Sequence, residues 1–205
     1  AKSVTAIEMD PRFIPALAEI GDRAEGRFSI IEADALRVDL AKEVLAPRKI
    51  VANLPYNVGT KMLINWISAR PIFWSQMVLM FQLEVAQRVV AQPGDNAYGR
   101  LAVLCQSVAT CRMAFDVPAR AFTPPPKVDS AVIVLEPLET PFTDLKTLGR
   151  VTQAAFSQRR KMLRSALKSL APDIEDRLQS VGIKPTERAE QIGLEEFCAL
   201  ARTFD

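Results

Sequence analysis

Histidine is absent from the 205 residues. That absence alone removes Ser-His and Cys-His nucleophilic dyads, and every histidine-ligated metal centre, from consideration. Cysteine is scarce too. Cys105, Cys111 and Cys198 show no C-x-x-C spacing and leave an odd number, so neither a zinc knuckle nor a disulfide framework is expected. A reducing cytoplasm is the simplest compartment for such a chain. No apolar run approaches the roughly 20 residues needed to cross a bilayer, and the most apolar stretch is interrupted by Gln82, Glu84, Gln87 and Arg88. No basic-then-apolar leader opens the sequence, and it contains no repeats or low-complexity tracts. Chemistry must therefore run on amides, carboxylates, aromatics and backbone groups, or on a cofactor that brings its own reactivity.

What is present belongs to an ordinary globular chain: 49% hydrophobic and 24% charged residues. The length accommodates one sizeable domain, or a medium domain with a small one. A net charge of +2 conceals segregation. Lys146, Arg150, Arg159, Arg160, Lys161, Arg164 and Lys168 fall between Leu145 and Pro172 with no acid among them, and Asp173, Glu175 and Asp176 follow. Arg160, Arg164 and Lys168 recur every four residues, and Leu163, Leu167 and Leu170 form the opposing stripe. This spacing predicts a helix that buries its leucines and presents a strip of cations. Phosphate backbones are the matching partner, and a merely solvated helix face is the alternative.

Strands are predicted at 3–8, 27–32, 49–54, 76–81, 108–115 and 130–135. Helices are predicted after Pro11 and at 59–67, 84–91 and 98–106. Met9-Asp10-Pro11 reads as the exit from the first strand into a helix. The Ile50-Val51-Ala52 run is apolar enough for a parallel strand covered on both faces, and the alternation implies a doubly wound α/β sheet. After Glu136 comes a proline-containing stretch from Pro137 to Pro141, and beyond it the pattern is wholly helical. The expected organisation is therefore an α/β domain over 1–138 and a helical domain over 139–205.

Asn53-Leu54-Pro55-Tyr56 closes the third strand, at the end where open α/β sheets place ligands. The exocyclic amine of adenine is a poor nucleophile because its lone pair is delocalised into the ring. Acceptors aimed at its N–H groups turn the nitrogen towards tetrahedral geometry. The Asn53 amide oxygen and the Pro55 carbonyl suit that task, and Tyr56 could stack on an extruded base. A turn that merely contains Asn and Pro is the plain alternative. Glu8 and Asp34 end the two preceding strands, where nucleotide-binding folds place acids for ribose hydroxyls and for adenine, though either could also be a helix cap.

The chain resembles the small-subunit ribosomal RNA adenine N6,N6-dimethyltransferase family along nearly its whole length. The resemblance rests on Asn53-Leu-Pro-Tyr56, Gln82-Leu-Glu-Val85, Tyr98-Gly-Arg-Leu101, Phe122-Thr-Pro-Pro-Pro-Lys-Val-Asp-Ser130, Phe156-Ser-Gln-Arg-Arg-Lys161 and Arg188-Ala-Glu190. It implies a Rossmann-like methyltransferase sheet with a small all-α C-terminal domain, and methyl transfer from S-adenosylmethionine (SAM) to N6 of adjacent adenines in small-subunit (16S) ribosomal RNA during ribosome assembly. By the same resemblance, Glu8, Met9, Asp34, Ala35 and Asn53 contact the cofactor. Asn53, Leu54, Pro55, Tyr56 and Phe122 form the catalytic pocket, with Tyr56 and Phe122 sandwiching the flipped base. Lys127, Arg159, Arg160, Lys161, Arg164 and Lys168 contact RNA, and neither a metal nor a membrane is implied.

The family's Gly-rich SAM loop precedes the strand that ends at Glu8, and no G-x-G occurs before Glu8 here. The sheet is therefore expected to be incomplete at its N-terminus, and SAM binding by the chain as it stands is expected to be weak. Three other functions share parts of the pattern: N6-adenine methylation of large-subunit RNA, the same chemistry on DNA, and a non-catalytic ribosome-assembly role.

Overall fold

The short apolar runs Val-Thr-Ala-Ile-Glu and Phe-Ser-Ile-Ile-Glu form strands β1 (Val4–Glu8) and β2 (Phe28–Glu32) in a computed structural model that describes residues 1–55 and 57–204. The two strands pair in parallel, with Val4 opposite Phe28 and Glu8 opposite Glu32. Parallel pairing needs a crossover, and the chain supplies a helix. The Asp10 side chain accepts from Arg12 N and Pro11 opens a single 3-10 turn, after which helix α1 (Ile14–Arg23) runs back along β2. Glu25 and Gly26, both with positive φ, reverse the chain into β2. A short helix α2 (Leu40–Glu43), capped by the Asp39 side chain, completes the segment. The chain divides into two compact units at this point, Ala1–Arg48 and Lys49–Asp205. No residue of the first unit is buried.

The second unit carries a four-stranded sheet in the order β3 (Lys49–Asn53), β4 (Gln76–Gln82), β6 (Ser130–Pro137), β5 (Ala109–Val117). Helix α3 (Gly59–Ser68) links β3 to β4, and α4 (Leu83–Val90) and α5 (Arg100–Gln106) link β4 to β5. β3 and β4 are parallel, but β6 runs antiparallel to both of its neighbours, so the expected parallel sheet is a mixed one. A bulge between Met113 and Phe115 keeps the two halves of β5 in register with β6.

Alternation sets the faces. Met77, Leu79 and Phe81 of β4 and Ala131, Ile133 and Leu135 of β6 are 0–3% exposed; α4 packs against these strands and α5 against β5. On the other face Val51 is 77% exposed and Phe115 60%. The expectation of a β3 covered on both faces therefore fails. The Ile50-Val51-Ala52 run is apolar at every position, yet its exposure alternates as in a half-buried strand.

Beyond β6, helices α6 (Leu145–Ser157), α7 (Leu163–Ala166), α8 (Ile174–Ser180) and α9 (Leu194–Arg202) pack together, and α6 also lies on α5. The boundary expected at 138/139 falls inside the second compact unit. There the connecting stretch is fastened by hydrogen bonds from Leu138 N to Val108 O and from Phe142 N to Ser107 O.

One expected helix is broken. α6 ends at Ser157, Gln158 leaves helical geometry (φ −126°, ψ 52°), and Arg159–Lys161 form a turn before the four-residue α7. The reason lies in the tertiary structure. Leu163 N donates to Glu187 O, Arg164 N donates to Pro185 O, and Met162 pairs with Arg188, so donors that would extend the helix serve a distant segment. The binary pattern survives the break: Leu163 and Leu167 are fully buried, and Arg160, Lys161, Arg164 and Lys168 are exposed.

Candidate active site

In the first unit, the carboxyl ends of β1 and β2 present two acids. Glu8 is half-buried. Its Oε1 accepts from Asp10 N at 2.8 Å, which orients the carboxylate while Oε2 engages no described residue. Asp34 accepts from Leu36 N at 2.9 Å through Oδ1, and its Oδ2 lies 3.6 Å from Arg37 Nε. Met9 beside Glu8 is 67% exposed, and Ala35 beside Asp34 is half-buried. Oriented carboxylates beside apolar and small side chains suit a ribose and an adenine, which want acceptors for hydroxyl and amine protons and a flat apolar wall. These residues fit SAM.

In the second unit, β3 ends at Asn53, directly opposite Met80 of β4. The Asn53 side chain is exposed and its amide makes no hydrogen bond among the described residues. Leu54 is 3% exposed, and its N–H donates to Met80 O, which extends the ladder by one rung. The chain then turns sharply into α3. Gly59 permits this closeness, because a Cβ there would meet Leu54 Cβ at 3.0 Å and Phe81 Cε1 at 3.1 Å.

The turn corrects one expectation. The Pro55 carbonyl is not free to face a substrate, because it accepts from Gly59 N at 2.8 Å and from Val58 N at 3.2 Å. Opening a helix consumes that oxygen. The Leu54 carbonyl has no hydrogen-bond partner among the described residues. Tyr56, expected to stack on the base, lies outside the described residues, as therefore does the Tyr56–Phe122 sandwich.

Phe122 sits on the loop from β5 to β6, which leaves the same end of the sheet as Asn53. It is half-buried and follows the single 3-10 turn Ala119–Ala121. The loop is pinned at its base by Asp129, whose Oδ1 accepts from Ala119 N and whose carbonyl accepts from Leu83 N. Sequence reasoning quoted Asp129 within a motif but gave it no role. An acid one residue before a strand is a sign of such a side-chain-to-backbone tie. Lys127 is exposed on the same loop.

The expected RNA-contacting cations divide into two groups. Arg160, Lys161, Arg164 and Lys168 are exposed and form no ion pair among the described residues. Arg159 is engaged internally: Nε donates to Glu190 at 2.8 Å, Nη1 to Asn96 O at 2.8 Å, and Nη2 to Asp95 O at 3.3 Å. Further ties surround it. Gly94 N donates to Glu190 O, Tyr98 OH donates to Ile192 O, and Phe156 packs edge-on to Tyr98 with ring centres 5.7 Å apart. Arg159 is thus a clasp between the 94–98 loop and the helical segment. Its basic neighbours in sequence gave no hint of that.

Burial keeps the three cysteine thiols in their neutral, weakly nucleophilic form. Burial pushes the Cys111 thiol up to about 12 and Cys198 up to about 11, and it holds Cys105 well above the usual thiol range. Among the described residues no cluster of three or more His, Cys, Asp or Glu could hold a metal ion, and no helix is long and apolar enough to cross a membrane.

Comparison with known proteins decides which family the chain belongs to. The family model described as ribosomal RNA adenine dimethylase matches residues 1–205. The chain belongs to that family. The ribosomal RNA small subunit methyltransferase A of Jannaschia sp. (strain CCS1) is 56% identical over 209 residues, covering 100% of this chain and 72% of the relative. The same-named protein of Ruegeria pomeroyi is 57% identical over 206 residues, covering 98% of this chain and 74% of the relative. Among solved structures, a dimethyladenosine transferase from Plasmodium falciparum superposes with a TM-score of 0.82 at 26% identity, covering 100% of this chain and 82% of that one. A 23S rRNA methyltransferase, ErmE, superposes with a TM-score of 0.72 at 24% identity, over 98% of this chain and 82% of its own; that likeness shows the fold alone. The dimethylase chain has the α/β, Rossmann-like architecture of these neighbours.

Proposed function

We infer that this chain carries the chemistry of its family: transfer of methyl groups from SAM to N6 of adjacent adenines in small-subunit ribosomal RNA. The observation that supports this best is the Asn53 amide, exposed at the carboxyl end of β3 beside the buried Leu54, with neither that amide nor the Leu54 carbonyl engaged by any described residue. SAM, when bound, supplies an activated sulfonium methyl, so the protein need form no covalent intermediate.

The chain's own residues do the rest. The carboxylates of Glu8 and Asp34 accept from the ribose hydroxyls and the adenine amine of the cofactor, with Met9 and Ala35 as its apolar neighbours. Asn53 Oδ1 accepts one N–H of the target adenine, and the Leu54 carbonyl takes the second-acceptor role that Pro55 cannot fill. Two acceptors on one amine draw its hydrogens out of the ring plane and localise the lone pair. Phe122, held by the Asp129 ties, stacks on the extruded base. Arg160, Lys161, Arg164 and Lys168, with Lys127, contact phosphates and position the RNA without reading its sequence. The helical segment over 139–205 is the RNA-gripping part of the protein, which acts in the cytoplasm on the assembling small subunit.

Asn53→Ala tests this reading. Losing one preorganised polar contact typically costs about 3 kcal/mol in the barrier, so turnover on small subunits should fall on the order of 100-fold, far more than SAM affinity falls. Turnover within about twofold of wild type, far short of that cost, would remove Asn53 from the mechanism.

A further inference from the structure

A depression of about 430 Å³ opens where β4 passes into α4, bounded on its other side by the residues that lead into β6. It lies within the range of roughly 300–1,000 Å³ typical of small-ligand clefts. Leu83 and Val128 give it an apolar lining, and Gln82, Glu84, Gln87 and Lys127 surround them. None of these four polar side chains forms a hydrogen bond or ion pair among the described residues. Two uncommitted amides, a carboxylate and an ammonium thus meet around an apolar patch. The framework is firm, because Leu83 N donates to Asp129 O and the Asp129 carboxylate holds Ala119 N, which ties the two walls together.

The cleft is a neighbour of Asn53. Asn53 pairs with Met80, and Gln82 follows two residues later on the same strand and the same face. Two residues along a strand and one strand spacing across amount to about 8 Å between the two backbone positions. One extended nucleotide spans that distance.

We propose that this cleft binds the nucleotide next to the target adenine, and that Gln82 and Gln87 read its base as adenine. The inference rests on the reading of Asn53 given above. Glutamine amides make bidentate pairs with adenine, whose N7 accepts and whose N6 donates, and guanine presents acceptors at both of the corresponding positions. Leu83 and Val128 pack against the base, and Lys127 meets the phosphate that joins it to the target nucleotide. Enzymes that extrude a base commonly take their specificity from the flanking nucleotides. A substrate with two adjacent adenines needs a place for one while the other reacts.

The test uses small subunits whose target dinucleotide is A-A or A-G, with kcat/KM measured for the remaining adenine. The wild-type chain should prefer A-A by about tenfold or more, the discrimination expected of a bidentate amide–adenine contact. In Gln82→Met/Gln87→Met that ratio should fall to about one. Gln87→Met alone, an exposed position on α4, should lower it part-way even if the double variant folds poorly. Lys127→Gln should raise KM on both substrates equally and leave the ratio intact. A wild-type chain indifferent to the flanking base, or a double variant that keeps its preference, overturns the proposal. Asn53→Ala in parallel separates the two claims. If it loses turnover on both substrates while the flanking preference survives in the glutamine variants, this inference alone fails. If it stays active, the reading of Asn53 fails.

Discussion

The two compact units differ in how they are held. Every fully buried residue, from Leu54 to Ala201, belongs to the second unit, whose β4 and β6 contribute Met77, Leu79, Ile133 and Leu135 at 0% exposure. The first unit has two paired strands, a helix whose residues all keep some exposure, and no buried residue. Two strands alone are marginal in water, and three or more with an apolar face are generally needed. Yet the first unit holds the two acids proposed to hold the cofactor, and the second holds the amide proposed to engage the reacting amine. The proposed function thereby puts cofactor affinity in the first unit and rate in the second.

The largest effect that bears on this contrast is a core truncation. Leu79→Ala in the middle of β4 should cost about 2–5 kcal/mol in urea unfolding. Ile7→Ala, half-buried in β1, should cost about half of that or less, since fewer neighbours lose contact. Equal costs would mean that the first unit is as well packed as the second.

A smaller effect sharpens the functional side. Glu8→Gln removes one charge-assisted hydrogen bond, typically worth about 1.5–3 kcal/mol, so calorimetric titration should show SAM binding weakened by about 10-fold or more. At saturating SAM the turnover should remain near that of wild type, the reverse of Asn53→Ala. A Glu8→Gln variant with normal affinity and depressed turnover would erase the proposed division.

The smallest effect separates cations that look alike in sequence. Arg160→Gln/Arg164→Gln should make the salt dependence of small-subunit binding shallower by about two units, near one per lost phosphate contact. Arg159→Gln should leave that slope unchanged and lower the unfolding temperature instead, because its guanidinium is spent on Glu190, Asp95 and Asn96. A shallower slope for Arg159→Gln would put it back among the RNA contacts.

Much of this was legible beforehand because local signals and tertiary demands agree. The strand ending at Glu8 and the exit at Asp10-Pro11 lie where the pattern puts them, as do the strand ending at Asn53 and the helix beginning at Gly59. The failures share a cause. The direction of β6 is invisible in a period-two pattern, which is the same for parallel and antiparallel pairing. The break at Gln158 arises because distant carbonyls at Pro185 and Glu187 take donors that a helix would have used. The Pro55 carbonyl looked free because proline lacks only a donor, and nothing in Asn-Leu-Pro-Tyr announces that Gly59 will claim the oxygen.

The sequence by itself determined which residue types were available. With no histidine, three scattered cysteines, acids at two strand ends and an Asn-Leu-Pro-Tyr at a third, the residues admitted base methylation by a borrowed activated methyl, and the resemblance to the dimethyltransferase family singled it out. It also determined that Leu163 and Leu167 turn inward, because apolar spacing is a one-dimensional property that burial enforces there whatever the backbone does at Gln158. Only the tertiary structure decided which polar groups remain uncommitted. Hydrogen-bonding capacity is shared out among neighbours in space, so Arg159 and Arg160, adjacent and alike in sequence, end as a clasp and an exposed cation.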